Sequence, residues 1–200
     1  MNYTGPKIKR SRRLGIAITP KSSRYLETRP APPGMHGQSR RPSKQSDYGK
    51  QLTEKQRLRM QYNLSERQLR NYYKKASGKK GNTADVFIHL LECRLDALVL
   101  RAGFARSIFA ARQLVNHGHI RVNGQKVDIP SYNVRVGDKI ELREKSKKLD
   151  TVNFALQNAE FVPYVKVDSE ALSAELMEMP KREDIPVICE VSLVVEFYSR

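Results

Sequence analysis

Hydrophobic and polar positions first fall into helical order near residue 51. Leu52, Gln56, Arg59, Met60 and Asn63 recur every three or four residues, and Thr53 followed by Gln56 has the form of a capping box, so a helix is predicted over about residues 50–62. Ser65 and Gln68 repeat that signal. Leu69, Tyr72 and Tyr73 carry the period to about Ala76, where Ser77-Gly78-Lys79-Lys80-Gly81 stops it. Both helices are too short to form a core unaided and need a partner distant in sequence. The strongest period spans Thr83 to Gly103, with Phe87, Leu90, Leu91, Leu95, Leu98, Val99 and Ala102 on one face. Ser107 then caps a helix that buries Ile108, Ala111, Leu114 and Val115, points Arg112, Gln113, Asn116 and His117 elsewhere, and closes at Gly118.

Beyond Gly118 the period changes to two. Ile120, Val122 and Val127 alternate with outward Arg121 and Lys126 around Asn123-Gly124, the pair favoured in a type I′ hairpin, and Lys139–Arg143 alternates again after Gly137-Asp138. The middle of the chain therefore reads helix, helix, hairpin, strand. Residues 1–46 show no sustained period, and their six prolines and four glycines predict a mostly irregular segment.

Charge changes this picture more than composition does. Of 200 residues, 37 are Lys or Arg and 21 Asp or Glu, giving a formal charge of +16. The 39% hydrophobic content suits two small cores rather than one large one. Residues 1–80 hold 21 Lys+Arg against 4 Asp+Glu, residues 81–160 hold 12 against 9, and residues 161–200 hold 4 against 8. The entire excess thus lies in the first 80 residues, which points to a polyanion. Nucleic acid ranks ahead of an anionic membrane, because no amphipathic helix sets bulky apolar residues opposite these cations. Basic irregular chain with interleaved Tyr3, Tyr25 and Tyr48 is typical of arms that order against folded RNA, a solvated tail being the alternative. No apolar run approaches the roughly 18–20 residues of a membrane helix, and no apolar core follows the first basic residues, so neither a membrane span nor a secretory signal is expected. Cys93 and Cys189 lie far apart and outside any Cys-x-x-Cys pair, which predicts two inert thiols in a reducing compartment.

The residues of the helix, helix, hairpin, strand region carry a resemblance. Arg94-Leu95-Asp96, Gly103-Phe104-Ala105-Arg106, Ala111 through Ile120, Val122-Asn123-Gly124, Val127 through Tyr132 and Gly137-Asp138 resemble the RNA-binding module named after small-subunit ribosomal protein four. Outside it, Tyr3-Thr4-Gly5-Pro6, Arg12-Arg13-Leu14-Gly15, Pro33-Gly34-Met35-His36-Gly37, Ser46-Asp47-Tyr48-Gly49, Glu54-Lys55-Gln56, Glu66-Arg67-Gln68 and the ending Val195–Arg200 are similar to that ribosomal family, in its bacterial or organellar form. The resemblance implies an α+β fold: an irregular basic arm (1–46), a helical domain (47–84, completed by about 184–200), and an inserted domain with a small antiparallel sheet (85–183, module at about 92–155). It implies a structural protein of the small ribosomal subunit that binds the 5′ domain of small-subunit ribosomal RNA early in assembly. Further implied partners are ribosomal protein five, through a contact that influences decoding accuracy, other subunit proteins, and the chain's own messenger RNA, whose translation it would repress. No membrane and no cofactor is implied; Lys7–Arg13 lacks the cysteines of zinc-binding members, so the zinc-free form is expected. The ribosome would be cytoplasmic, or in an organellar matrix or stroma for an organelle-encoded protein.

An RNA helix presents a shallow minor groove, 2′-hydroxyls and closely spaced phosphates, which a protein reads with cations and short polar donors on a rigid support. The expected RNA-binding set in the module is Arg106, Arg112, Gln113, Asn116, His117, Arg121, Asn123 and Lys126. In the arm and first helices it is Tyr3, Lys7, Arg10, Arg12, Arg13, His36, Tyr48, Lys55 and Arg59. Tyr62, Tyr72 and Tyr73 can stack on bases or pack in the core, packing being favoured for the last two. Enzymes that share this module are the rival class. Arg94-Leu95-Asp96 stands at the module's start with no catalytic domain around it, so Asp96 is expected to be a surface or capping carboxylate. His117-Gly118-His119-Ile120 and Lys145-Ser146-Lys147-Lys148 only faintly echo tyrosyl-tRNA synthetases and come without a nucleotide-binding glycine loop. No catalytic or metal residue is therefore expected. The remaining alternative is a free-standing RNA-binding regulator or ribosome-rescue factor, against which the long basic arm speaks. The acidic segment 161–200, with Glu175, Glu178, Glu183, Asp184, Glu190 and Glu196, is expected to face protein or solvent.

Overall fold

The computed structural model describes residues 3–35, 37 and 45–200. Its helices are α1 (Lys7–Leu14), α2 (Pro20–Thr28), α3 (Asp47–Gln61), α4 (Glu66–Ser77), α5 (Thr83–Glu92), α6 (Leu95–Arg101), α7 (Ile108–Asn116), α8 (Asp150–Gln157) and α9 (Val191–Ser199). The strands are β1 (Ile120–Val122), β2 (Gln125–Lys126), β3 (Lys139–Leu142), β4 (Val165–Asp168) and β5 (Ser173–Leu176). They form two compact units, Met1–Ala84 with Val187–Arg200, and Asp85–Pro186.

In the first unit α9 packs along α3 and touches α4, and α1 packs on α2 and α3. Leu14, Ile16, Ile18, Leu58, Met60, Tyr62, Leu64, Leu69, Val191 and Val194 are buried in it. The irregular arm predicted for residues 1–46 is therefore corrected: residues 7–14 and 20–28 are helical, and Leu14, Ile16 and Ile18 belong to the core. Two physical reasons hid these helices. Fully buried Ser11 shares the inward face of α1 with Leu14, and the buried position of α2 is Ser22, so no sustained apolar period marks them. The presumed breakers are helix ends, with Pro20 at a first-turn position where its missing N–H is no loss and Gly15 at φ 67° after the last turn of α1. The start of α3 is corrected too. Ser46 caps it, its hydroxyl accepting the Gly49 N–H at 3.2 Å, whereas Thr53 sits inside the helix and donates to the Gly49 carbonyl. The Ser65/Gln68 capping box of α4 forms as predicted.

The second unit has a single sheet, order β2-β1-β3-β5-β4, antiparallel throughout. Ile120, Val122, Ile140, Leu142, Ala174 and Leu176 face its core. Asn123 (φ 50°) and Gly124 (φ 79°) turn the β1–β2 hairpin, both in the left-handed region that a type I′ turn requires. The single helix expected from Thr83 to Gly103 is two, broken at Cys93-Arg94. At the break the chain pairs with the 130–134 segment: Arg94 bridges to Asn133, and the N–H groups of Leu95, Asp96 and Val134 donate to the carbonyls of Tyr132, Pro130 and Cys93. Phe87, Leu91, Leu95, Leu98, Val99 and Ala102 stay buried across the kink, so the apolar period survived while the backbone did not. Each of the larger side chains contributes roughly 1.5–3 kcal/mol of burial, and α6 packs on α7.

Candidate nucleic-acid interface

α7 is built as a two-sided support. Ser107 caps it by accepting the Ala110 N–H, and Ile108, Ala111 and Val115 bury its inner face. Gln113, Asn116 and His117 are exposed on its outer face, with exposed Arg106 just before the helix. Arg106 lies over the Phe154 ring at 4.6 Å, which fixes where its guanidinium stands. From the sheet, Arg121 and Lys126 are exposed partners in the hairpin register. Arg121 stands opposite Glu141 on β3, and Lys126 pairs with Asp128 at 3.6 Å. These residues form a mixed polar surface of modest charge, suited to fixing position on a nucleic acid more than to supplying bulk attraction.

Two predicted module residues do other work. Arg112 is corrected from interface to core: it is buried, and its Nε and Nη2 donate to Asp96 Oδ2 at 3.0 and 2.6 Å. Asp96, expected as a surface or capping carboxylate, is fully buried and also accepts both forks of Arg94 at 2.8 and 2.9 Å. One carboxylate shared by two buried guanidinium groups ties α6 to α7 and is not free for catalysis. Asn123 is exposed, but its side chain donates to Asp138 and accepts the Lys139 N–H, so it holds the hairpin turn.

The basic first unit spends many of its cations internally. Arg10 donates to the Tyr3 hydroxyl and lies 5.3 Å from its ring, while the Tyr3 N–H donates to Asn63. Arg12 clamps the carbonyls of Arg29 and Ala31. Lys55, 6% exposed, binds Glu66 at 3.0 Å and lies 4.2 Å from the Phe197 ring, and Arg59 reaches the same carboxylate. Burial alone would push the Glu66 carboxyl up, yet hydrogen bonds from Tyr198 and Lys55 and the Lys55 charge outweigh it and hold it below 4.5. Tyr62 is core, and Tyr73 stacks on Tyr198 at 5.1 Å. Lys7 is half-buried; Arg13 and Tyr48 are exposed, and His36 lies outside the described residues. Arg12, Arg13, Lys50 and Arg57, with Glu54, line an open cleft of about 410 Å³, and further cations such as Arg24, Arg67, Arg70 and Lys74 are exposed on the unit's helices. The acidic segment is divided, with Glu175, Glu178, Glu183 and Asp184 in the second unit and Glu190 and Glu196 in the first.

Sequence reasoning missed Arg143 and Phe154. Arg143 donates from its backbone to His119 and from its guanidinium to Gly118, just behind the end of α7. Its place after β3, ahead of Lys145-Ser146-Lys147-Lys148, was the available signal. An exposed aromatic in α8 was the signal for Phe154. Among the described residues no group of three metal-ligating side chains comes together, and no helix is long and apolar enough to cross a membrane.

A family model described as ribosomal protein S4/S9 N-terminal domain matches residues 2–92, and one described as S4 domain matches residues 93–140. The small ribosomal subunit protein uS4 of Streptomyces coelicolor is 51% identical, covering 100% of this chain and 99% of its own. Those of Micrococcus luteus and Chlorobium limicola are 49% and 47% identical, covering 96% and 99% of this chain and 95% and 98% of theirs.

Proposed function

The chain belongs to the family of small ribosomal subunit protein uS4, and on that premise we propose that it is a structural constituent of the small ribosomal subunit that binds the 5′ domain of its RNA early in assembly. The observation that carries this reading is the two-sided α7 and hairpin. Gln113, Asn116, His117, Arg121 and Lys126 face outward while Ile108, Ala111, Val115, Ile120 and Val122 anchor the same elements. A rigid backing with short donors and cations is what reading RNA by shape requires. The exposed cations of the first unit add sequence-independent attraction. Because the relatives match the basic N-terminal region as well as the module, a ribosomal role is favoured over a free-standing regulator or rescue factor.

Contact with ribosomal protein five and repression of the chain's own messenger RNA extend the proposal. Glu178 and Glu183, exposed after β5, are the acidic side chains best placed to meet a protein partner, whereas Glu175 stands between Lys139 and Lys166 in the sheet. Sedimentation tests the core of the reading. The endogenous protein is expected to travel with small-subunit particles in high-magnesium lysate, and its absence from them would refute the assignment. Charge reversal at Glu178 and Glu183 is expected to raise misreading while leaving RNA binding intact; unchanged accuracy would remove the protein contact from the proposal.

A further inference from the structure

A cleft of about 350 Å³ opens along the outer side of α7, and its lining does not suit a phosphate. Phe104, Ala110, Leu114 and Leu149 form its walls. A phosphate set against these four apolar walls would lose hydration there, and the polar lining of Arg106, Gln113, His117, His119 and Thr151 could restore only part of it. A nucleobase has the opposite needs, two flat apolar faces to cover and one edge of donors and acceptors to satisfy. Gln113 and His119 supply groups for such an edge. His119 Nδ1 is held 2.8 Å from the Ser146 hydroxyl, which fixes the ring. Burial, together with the charges of His117 and Arg143, holds this imidazole below its ordinary 6.5, and with Nδ1 engaged by Ser146 the ring has Nε2 left as a single donor or acceptor.

Cations stand at the margins instead. Arg106, also lining the cleft, is braced over Phe154, and the Arg143 guanidinium donates to the Gly118 carbonyl while its backbone N–H donates to that of His119. The volume lies at the lower end of the roughly 300–1,000 Å³ of ligand sites, room for a base but not for a duplex. We propose that this cleft receives one unstacked base of the bound RNA, walled by Phe104, Ala110, Leu114 and Leu149 and read by Gln113 and His119, while Arg106 and Arg143 meet the flanking phosphates. This inference rests on the RNA-binding reading above. It adds a base-specific contact to an interface otherwise made of shape and charge.

The test uses the full chain on small-subunit 5′-domain RNA, with chemical probing of Watson–Crick edges alongside backbone cleavage. Wild-type protein is expected to shield at least one unpaired base. Ala110→Phe fills the cleft without removing a cation. It should re-expose that base, keep the backbone footprint and the salt slope, and weaken affinity about tenfold, the scale of one lost stacking contact. Gln113→Leu, an exposed change that leaves the helix intact, should also re-expose it and decides the matter if Ala110→Phe does not fold. A backbone footprint without any shielded base, or a base that stays shielded in Gln113→Leu and in folded Ala110→Phe, overturns the base site and leaves the RNA-binding reading standing. No footprint from wild type overturns that reading itself.

Discussion

The first 80 residues and the α7–hairpin region make different use of charge. The former hold 21 Lys+Arg against 4 Asp+Glu; Arg10, Arg12, Lys55, Arg57 and Arg59 turn to internal partners, while others such as Arg13, Lys50, Arg70 and Lys74 are exposed. The latter is part of a nearly balanced segment, yet Arg106, Arg121 and Lys126 are all exposed. Core quality explains the contrast. Short helices with few large apolar residues must complete their packing with the aliphatic stems of Lys and Arg and cap loose carbonyls with their heads, as Arg57 does at Leu14. The denser Leu, Ile, Val and Phe core of the second unit encloses Arg94 and Arg112 instead through a shared carboxylate, Asp96. Net charge therefore sets the long-range field, whereas internal partners decide which cations can reach a phosphate.

The largest effect should come from removing the support behind the exposed face. Asp96→Ala leaves Arg94 and Arg112 buried without their shared carboxylate and should cost about 3–5 kcal/mol in denaturant unfolding. A loss below about 1 kcal/mol would mean that α6 and α7 are held by apolar packing alone. Next, Lys55→Ala should lower stability by about 1–3 kcal/mol and leave the salt dependence of RNA binding unchanged. Arg121→Ala and Lys126→Ala should do the reverse, shifting stability by no more than about 0.5 kcal/mol and each reducing the slope of log affinity against log salt by about 1. Swapped results would invert the contrast between the regions.

The last effect concerns pH. Since the folded carboxyl of Glu66 is held below 4.5, its contribution is complete above that pH and drains away as pH falls through the lower folded-state value. With its side chain 42% exposed, screening limits this to about 1 kcal/mol or less. Glu66→Gln should accordingly flatten the acid limb of a melting-temperature profile taken over about pH 3–6; an unchanged limb would show that Lys55 and Arg59 are held by packing instead.

Much of the second unit was legible along the chain. Ser107, the Asn123-Gly124 turn and the alternation at residues 139–143 each act through immediate neighbours, so local rules suffice. β4 and β5 were not foreseen, because four-residue strands such as Val165–Asp168 carry too short a period to stand out. In the candidate site, Gln113, Asn116 and His117 followed from helical spacing opposite Ile108, Ala111 and Val115. Arg112 did not, since it borders the inner face and only a carboxylate sixteen residues earlier shows that it turns inward.

What the sequence determined by itself is whatever depends on near neighbours and on summed quantities: the caps, the type I′ turn, the outward face of α7, and a polyanion-seeking charge concentrated in residues 1–80. Tertiary structure alone decided the break at Arg94, the burial of Asp96 and Arg112, the ordering of residues 7–28, and the apolar cleft beside a polar helix face. Each of these turns on a partner remote in sequence, and a local pattern carries no term for the free energy of meeting it.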